Sequence, residues 1–391
     1  APLNVFFRPL TPKGEFPSLE LEESETFGVG RITDFSWKDL FDLYNCTECG
    51  RCTAGCPANV SGKELDPKLL ILNLQEHLLE AGPRLLGEAG DGRTEKTMVG
   101  DVIHDNVLWA CTTCRYCVEA CPVFIEHVPK IIDMRRFLVL TESRFPPELA
   151  PTFRNLESNG NPWQLPAGGR ADWARDLGVR LMADIGKAEY LYWVGCYGSF
   201  DERNRKVARA VVRILQAARV DFAILGNEEK CTGEPARRVG HEYLYQTLAR
   251  ENIETLKQYQ IQTIVTACPH CFNTLQNEYP QFGGHFRVMH HTQLIDELIR
   301  AGRLPVARVI GERTTYHDPC YLGRYNDVYD PPRNVIRAVS RGELVEMHQH
   351  RERCFCCGGG GGRVWLEERE GRRVNQIRVE QAMEVNPDLL A

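Results

Sequence analysis

The sequence predicts an α-helical, metal-binding domain followed by an α/β domain made of two similar halves. Three observations support this prediction. A regular cysteine run occurs twice within residues 36–143, where the surrounding pattern is helical. From about residue 187, short apolar segments alternate with amphipathic ones, which is typical of a parallel sheet with helices on its faces. The cysteines of this second region also repeat at similar intervals, which indicates two related halves.

Composition narrows the class of protein. A chain of 391 residues has room for two or three domains, and an apolar fraction of 43% with a charged fraction of 26% is ordinary for a globular protein. The net charge of −6 argues against a nucleic-acid partner. No apolar run approaches the length of about 20 residues that a membrane span needs. Sixteen cysteines, mostly at metal-ligand spacings, predict a reducing compartment.

Changes in composition suggest where the domains begin and end. Residues 1–35 are rich in proline, glycine and acids, and are predicted to form an extended N-terminal arm. Residues 144–186 contain five prolines and are predicted to be a linker that follows the surface. Between them, residues 36–143 form the helical domain. The α/β domain would then consist of halves at 187–305 and 306–391.

Periodicity predicts the individual elements. In the helical domain, apolar residues recur at helical spacing in Trp37–Tyr44 and Asp66–Glu80. In the α/β domain, short apolar runs predict strands at Tyr190–Val194, Phe222–Leu225, Thr263–Thr266, Arg287–His290, Thr314–Tyr316 and Leu344–Glu346. Amphipathic segments predict helices at Arg205–Ala218, Tyr243–Tyr259, Gln293–Ala301, Arg333–Val339 and Val364–Ala382.

The strongest motif is C-x2-C-x2-C-x3-C-P, which begins at Cys46 and again at Cys111. This run holds [4Fe–4S] clusters in bacterial-type ferredoxins, where three thiolates bind one cubane and the fourth binds the other. The spacing therefore predicts two cubanes that exchange their last ligands. The first set is Cys46, Cys49, Cys52 and Cys121, and the second set is Cys111, Cys114, Cys117 and Cys56.

Other interpretations of these runs are weaker. Structural zinc uses paired C-x2-C knuckles and has no need for a third cysteine and a Cys-Pro in both copies. A disulfide framework would need an oxidising compartment. Arg51 and Arg115 lie inside the runs, where a positive charge would raise a reduction potential, although a solvated arginine is an equally good interpretation.

A second set of cysteines follows the predicted strands of the α/β domain. Copy one comprises Cys196, Cys231-Thr232-Gly233 and Cys268-Pro-His-Cys271, and copy two comprises Cys320 and Cys356-Cys357-Gly358. The intervals are similar, with 34 residues between Cys196 and Cys231 and 35 between Cys320 and Cys356. Because open α/β sheets bind ligands at the carboxyl ends of their strands, both copies are candidate cofactor sites.

The pattern of a lone cysteine, Cys-Cys-Gly and C-x2-C resembles the CCG domain of heterodisulfide reductases. Joined to a two-cluster ferredoxin-like domain, it resembles the D-type subunit of that family and its relatives. The stretches HDPCYLGRYND (317–327) and FCCGGGGGR (355–363) are most similar to the electron-transfer-flavoprotein:menaquinone oxidoreductases. The resemblance covers nearly the whole chain from about residue 36.

The resemblance implies a CCG-type, non-cubane [4Fe–4S] centre whose redox-active ligands are Cys320, Cys356 and Cys357. The sequence departs from the family pattern in both copies. Copy one has Thr232 in place of the second cysteine of the pair, so its four cysteines suit a cubane, a zinc ion or an empty site. Copy two lacks a closing C-x2-C, which by analogy with copy one would fall just past Ala391; the expectation is a sequence that stops short of its natural end.

Several smaller features accompany these motifs. The pentaglycine Gly358–Gly362 is predicted to precede a helix that begins at Val364. It is also predicted to approach a cluster or an anion closely, with Gly358 and Gly359 as cofactor-binding positions. The alternative is a flexible turn. His270 and His317 are candidate proton donors or positioning partners of nearby cysteines. His290 and His291 are interpreted as surface residues, and Cys354 as a cysteine that binds no cofactor.

These features predict an iron–sulfur electron-transfer subunit, and the resemblance implies that it belongs to a membrane-associated respiratory oxidoreductase. The resemblance implies that electrons pass between a flavoprotein of the electron-transfer-flavoprotein type and menaquinone, through a membrane cytochrome b-like segment or subunit, at the cytoplasmic face of the membrane. Two alternatives remain open: reduction of a substrate disulfide, and service as the iron–sulfur subunit of a glycolate or lactate oxidase with a separate flavin subunit. A zinc-stapled binding module without redox function is a third, from a different class.

Overall fold

The computed structural model describes residues 3–6, 12–22, 26–87, 96–306, 309–340 and 342–391. The chain divides into two units. The first unit comprises residues 1–147, 237–242 and 352–380, and the second unit comprises residues 148–236, 243–351 and 381–391. The first unit therefore contains both cysteine runs together with the Cys-Cys-Gly segment of copy two, whereas Cys320 belongs to the second unit.

The first unit is helical. Its helices up to residue 147 are α1 Trp37–Asn45, α2 Arg51–Ala54, α3 Pro57–Val60, α4 Pro67–Leu85, α5 Asp105–Trp109, α6 Tyr116–Glu119 and α7 His127–Arg136. The N-caps explain two of these starts. Ser36 accepts a hydrogen bond from the backbone of Asp39, and Asp66 accepts from Lys68 and Leu69. The short helices α2 and α6 each lie within one of the two cysteine runs.

The N-terminal arm contributes buried side chains to the first unit. Asn4 is completely buried, and Phe16, Val29 and Ile32 are each at least nine-tenths buried. The amide group of Asn4 donates to the Asp42 carboxylate over 2.7 Å and to the carbonyl oxygen of Val123 over 2.9 Å. The arm is thus tied to the helices at specific residues, which its proline-rich composition did not indicate.

In its described residues, the second unit contains two parallel sheets. The first sheet has the strand order β2-β1-β3-β4, and the second has the order β6-β5-β7. The strands are β1 Tyr190–Trp193, β2 Phe222–Ala223, β3 Thr263–Thr266, β4 Arg287–His290, β5 Thr314–Thr315, β6 Leu344–Val345 and β7 Leu389–Leu390. All six predicted strands are present, four of them in shortened form, and β7 was not predicted.

Four of the remaining helices correspond to predicted ones, and two others lie within residues 144–186, which were predicted to be a linker. In chain order, the remaining helices are α8 Leu149–Asn159, α9 Met182–Ile185, α10 Gly195–Phe200, α11 Glu202–Ala217, α12 Glu234–Arg238, α13 Glu242–Gln258, α14 Pro269–Asn273, α15 His291–Arg300, α16 Asp330–Val339 and α17 Val374–Met383. The core of the first sheet packs Tyr192 and Val265 against the apolar face of α11, including Val211 and Leu215. This packing fixes the carboxyl ends of β1, β2 and β3, which carry the cysteines of copy one.

The helix predicted at Val364–Ala382 is a wrong prediction over its first half. A single 3-10 turn at Arg363–Trp365 follows the pentaglycine, and the α-helix begins only at Val374. The intervening Gly371 has φ +65, and the backbone of Arg372 donates to the carbonyl oxygen of Ser61 over 2.7 Å. Because a residue with positive φ cannot continue a helix, Gly371 separates the 3-10 turn from the α-helix, and the hydrogen bond to Ser61 anchors the segment between them.

Candidate functional site: the thiol clusters

The two cysteine runs fold into loops of the same shape. In each run the residues on either side of the second cysteine are left-handed: Glu48 (φ 54) and Gly50 (φ 73) in the first, and Thr113 (φ 50) and Arg115 (φ 66) in the second. This conformation costs a non-glycine residue about 1–2 kcal/mol and is rare for a β-branched side chain. Its recurrence at equivalent positions indicates that both loops are held in the same constrained backbone shape.

The second predicted set of thiols surrounds one pocket. Cys56, from the first run, lines this pocket together with Cys111, Cys114 and Cys117. Burial raises the pKa of Cys117 well above its usual value, and the charges of the other three thiols add to the effect. Burial likewise raises the pKa of Cys111 to about 11. The structure therefore brings Cys56 to the cysteines of the other run.

The first predicted set shows the reciprocal arrangement. Burial raises the pKa of Cys52 to about 11, with contributions from the charges of Cys121 and Cys46. The pKa of Cys121 is raised by burial and, to a smaller extent, by Cys46 and Cys49. Cys121, from the second run, thus interacts electrostatically with three cysteines of the first. Cys49 is exposed, so this set reaches the protein surface.

These thiols fit an iron–sulfur cofactor. All sixteen cysteines are free thiols. Where burial and mutual repulsion disfavour several neighbouring thiolates, bound iron supplies the compensating charge and displaces the protons. Backbone amides of Thr113 and Ile125 donate to the sulfurs of Cys111 and Cys121, each over 3.3 Å, as expected for cluster ligands. Within the described ranges, no three His, Cys, Asp or Glu side chains close around a point as they would around a single metal ion.

The cysteines of copy one lie at the carboxyl edge of the first sheet. Cys196 follows β1, Cys231 follows β2, and Cys268 follows β3 as the N-cap of α14, which carries Cys271. Parallel strands place these loops side by side. A hydrogen bond from Cys231 lowers the pKa of Cys196, and one from Cys271 lowers the pKa of Cys268 to about 6. The four thiols therefore interact in two pairs.

A buried ion pair lies behind copy one. The guanidinium of Arg170 is 2.7 Å from the Glu229 carboxylate and donates to the sulfur of Cys196 over 3.5 Å. The same carboxylate accepts backbone hydrogen bonds from Val194 and Gly195. It thereby fixes the turn that carries Cys196. Sequence reasoning missed Arg170 and Glu229, because neither stands at a recognisable spacing from a cysteine.

Thr232 occupies the position where the family pattern has a second cysteine. Its hydroxyl donates to the sulfur of Cys271 over 4.0 Å, and it is buried. The hydroxyl thus contacts the thiol group as a weak hydrogen-bond donor. The substitution leaves copy one with four thiols in the described structure.

His270 links copy one to the loop after β5. Its Nδ1 is 2.8 Å from the Glu234 carboxylate, and its ring packs on Tyr321 with 4.2 Å between centroids. Tyr321 directly follows the buried Cys320. His317 behaves differently: its backbone amide donates to the carbonyl oxygen of Ala391 over 2.8 Å.

The interpretation of His290 as a surface residue is wrong. His290 is 4% exposed, and its Nε2 lies 3.2 Å from the carbonyl oxygen of Ala267, next to Cys268. Burial lowers the pKa of both His290 and the partly buried His291. His290 ends strand β4, whose pairing with β3 carries it into the sheet.

The Cys-Cys-Gly segment of copy two lies in the first unit. A hydrogen bond from Cys356 lowers the pKa of Cys357 to about 7, and the backbone amide of Gly358 donates to the Cys356 sulfur over 3.3 Å. A Cβ atom on Gly361 would lie 2.4 Å from the carbonyl oxygen of Cys111. The pentaglycine therefore packs closely against the second cysteine run, as close approach by glycine permits.

Cys354 also lies in this segment. Its buried sulfur accepts a hydrogen bond from Arg378 over 3.2 Å. The sequence contained no signal for this contact, because Arg378 comes from α17, well outside the motif.

Two thiol-rich modules on one chain define an iron–sulfur protein of the electron-transfer class, and comparisons with known proteins agree. A family model described as "4Fe-4S dicluster domain" matches residues 38–122, and one described as "Cysteine-rich domain" (CCG) matches residues 190–276 and 314–391. No solved structure matches the chain at a significant level.

Three relatives are informative. The chain is 43% identical to "EtfAB:quinone oxidoreductase" of Syntrophomonas wolfei (99% of this chain, 58% of the relative). It is 42% identical to "Probable membrane-anchored ferredoxin" of Chromohalobacter salexigens (95% and 58%). It is 30% identical to the D subunit of the dihydromethanophenazine:CoB–CoM heterodisulfide reductase of Methanosarcina barkeri (90% and 86%). The chain thus spans less than two thirds of the first two relatives.

The chain belongs to the heterodisulfide reductase D-like family of iron–sulfur oxidoreductases with CCG repeats. The family resemblance inferred from the two cysteine patterns is confirmed, as is the order of a dicluster domain followed by two CCG repeats. In the described residues, no helix combines the length and the apolar character required to span a bilayer.

Proposed function

We propose that this chain carries electrons between a flavoprotein of the electron-transfer-flavoprotein type and menaquinone, through two [4Fe–4S] cubanes and a CCG centre. The observation that carries the proposal is the exchange of thiols between the runs: Cys56 lines the pocket of the second run, and Cys121 interacts with the cysteines of the first. Cross-ligated cubanes lie close together, as one-electron transfer requires.

The first and second thiol sets would hold the two cubanes, and the cofactors would supply the redox chemistry. The chain positions them with its left-handed loops, donates backbone hydrogen bonds to Cys111 and Cys121, and limits access of water by burial. The exposed Cys49 makes the first set a suitable point of electron exchange with a partner.

A third centre would involve Cys356 and Cys357, with Gly358 and Gly359 close to their sulfurs. The backbone amide of Gly358 donates a hydrogen bond to the Cys356 sulfur. A Cβ atom on Gly359 would lie 3.9 Å from the Cys357 sulfur, which is van der Waals contact. Cys320 belongs to the second unit, and its role as a cluster ligand stays a prediction of the family resemblance. In copy one, the four thiols would bind a cubane or a zinc ion or remain empty; the pairing of Cys196 with Cys231 and of Cys268 with Cys271 supports a site with four thiolate ligands.

The partners follow from the relatives. One relative is named for EtfAB and quinone, and another for a membrane anchor. By extension, this chain would act at the cytoplasmic face of the membrane. There a cytochrome b-like segment or subunit would connect it to menaquinone, and a flavoprotein would dock on the soluble side.

The test is anaerobic purification followed by iron and acid-labile sulfide analysis, EPR spectroscopy and stopped-flow kinetics. We expect about eight iron atoms for the two cubanes, and about four more where the CCG centre is complete. Reduced electron-transfer flavoprotein should be reoxidised in single turnover by the loaded protein. A colourless, EPR-silent protein, or a loaded protein that leaves the flavin reduced, would rule the proposal out.

Reduction of a substrate disulfide is a second candidate. It is favoured by the similarity to a heterodisulfide reductase chain over 86% of that chain's length. Its signature would be turnover of a dithiol carrier's disulfide with an artificial electron donor and without any flavoprotein.

A further inference from the structure

Arg135 is buried beneath the second cysteine run. None of its side chain is exposed. Its Nη2 donates to the carbonyl oxygens of Leu108 and Cys111, over 2.6 and 2.7 Å, and its Nη1 donates to those of Arg238 and Gly361, over 2.7 and 3.0 Å. All of these residues belong to the first unit. One guanidinium therefore connects the start of the second run with the pentaglycine.

The geometry holds a positive charge at a defined place. Arginine stays protonated at any accessible pH, and its planar fork allows little movement once several acceptors are engaged. The face of Trp109 lies 5.2 Å from the guanidinium carbon and covers it. Because the guanidinium is buried, solvent screens its charge far less than it would screen that of a surface arginine.

The charge acts on a predicted cluster ligand. Arg135 hydrogen-bonds the backbone of Cys111, and its charge opposes the burial that raises the pKa of the Cys111 thiol. A cluster gains one negative charge when it accepts an electron. A fixed cation beside one of its ligands stabilises the reduced state more than the oxidised state and so raises the reduction potential.

We propose that Arg135 is the positioning residue that sets the reduction potential of the second thiol set's cluster. The inference rests on the proposed function, because it requires a cluster at Cys56, Cys111, Cys114 and Cys117. It adds a residue outside both cysteine motifs and a direction: Arg135 makes the second site a better electron acceptor than its thiolates alone would make it.

The next residue offers a matched control. Arg136 is equally buried, but its guanidinium meets the carboxylates of Asp133 and Glu242, each at 2.8 Å. The double variant Arg136→Gln/Glu242→Gln removes two opposite charges that meet where α7 ends and α13 begins, and it leaves the net charge unchanged. It reports any effect of disturbing this region without altering the local net charge.

The experiment is an EPR-monitored redox titration of the full chain, purified anaerobically and poised with dithionite. The second-site signal is defined as the one that Cys117→Ser abolishes. In Arg135→Gln, we expect the ratio of reduced to oxidised second cluster at a fixed potential to fall at least tenfold, which is about 59 mV in midpoint. Arg135→Lys, which keeps the charge, and the Arg136→Gln/Glu242→Gln control should stay near the wild-type midpoint.

Each outcome supports or overturns the inference. A loaded Arg135→Gln variant with the wild-type midpoint overturns it. So does an Arg135→Lys midpoint as low as that of Arg135→Gln, because the effect would then not come from charge. If Arg135→Gln fails to load the second site, Arg135→Lys decides alone: the wild-type midpoint supports the inference and a tenfold fall in the ratio overturns it. If the wild-type chain lacks the Cys117-dependent signal, the proposed function itself fails.

Discussion

Replacing Lys130 with methionine should destabilise the first unit substantially. The Lys130 ammonium lies 2.7 Å from the Asp42 carboxylate and 2.8 Å from Asp39, and a second lysine, Lys38, lies 2.5 Å from Asp42. Lys130 and Asp42 are completely buried. Burial alone would raise the pKa of Asp42, but the charges of and hydrogen bonds from the two lysines hold it below its usual value.

The magnitude follows from this burial. Removing one partner of a buried ion pair costs about 3–5 kcal/mol, because the other charge is left uncompensated. Lys38 still pairs with Asp42 in Lys130→Met, so we expect the lower end, about 3 kcal/mol. With a urea m value of about 3 kcal/mol per molar, the unfolding midpoint should fall by about 1 M.

The same network joins the elements that carry the first thiol set. Helix α1 ends at Asn45, next to Cys46, and α7 begins shortly after Cys121. Loss of the Lys130 contact should therefore also accelerate loss of the first cluster under mild denaturation. Anaerobic urea titration followed by far-UV circular dichroism, with cluster absorbance recorded in parallel, measures both effects.

Arg144→Met is the control for this prediction. Arg144 pairs with Asp105 over 3.2 Å, but both side chains are substantially exposed, so the loss should stay below about 1 kcal/mol. If Lys130→Met shifts the midpoint no more than Arg144→Met does, the buried network does not stabilise the unit in this way.

Two further predictions concern the second site and pH. Gly361→Ala should abolish the second cluster, because its Cβ atom would lie 2.4 Å from the carbonyl oxygen of Cys111 and the backbone φ is +62. Gly359→Ala should retain the cluster, because the nearest atom to its Cβ, the Cys357 sulfur, is 3.9 Å away. Iron analysis and EPR distinguish the two outcomes. His127 is buried, and burial lowers its pKa to about 4. Between pH 6.5 and 4 the unfolded state binds a proton on His127 that the folded state does not, so the free energy of unfolding should fall by about 3 kcal/mol over this range. His127→Asn should reduce this pH dependence, as measured by urea titrations at several pH values. The same pH dependence in both proteins would refute the prediction.

Regular spacing allowed most of the architecture to be predicted from the sequence. The six strands were found because parallel, buried strands leave short apolar runs, and Cys196, Cys231 and Cys268 follow three of them as expected. The helix after the pentaglycine was misjudged because tertiary contacts with Ser61 and Lys63 outweigh a good local helical pattern. Arg372 donates to the carbonyl oxygen of Ser61, and Lys63 donates to the carbonyl oxygen of Arg372 and pairs with Glu368.

Features that depend on one contact left no pattern in the sequence. Threonine ordinarily avoids the left-handed region, so nothing in the sequence indicates that Thr113 adopts it. The burial of Asn4 was hidden in a polar, proline-rich arm. The guanidinium of Arg135 approaches the second run from α7 through backbone carbonyls, which carry no sequence signature.

The exchange of thiols between the two runs is tested most directly by comparing single serine variants. Each variant, Cys52→Ser, Cys56→Ser and Cys117→Ser, should lose one cluster, and EPR with iron analysis shows which one. Cys56 belongs to the first run but lines the pocket of the second, so Cys56→Ser should lose the same EPR signal as Cys117→Ser. A Cys56→Ser spectrum that matches Cys52→Ser instead would mean that each run closes its own site, which contradicts the exchange.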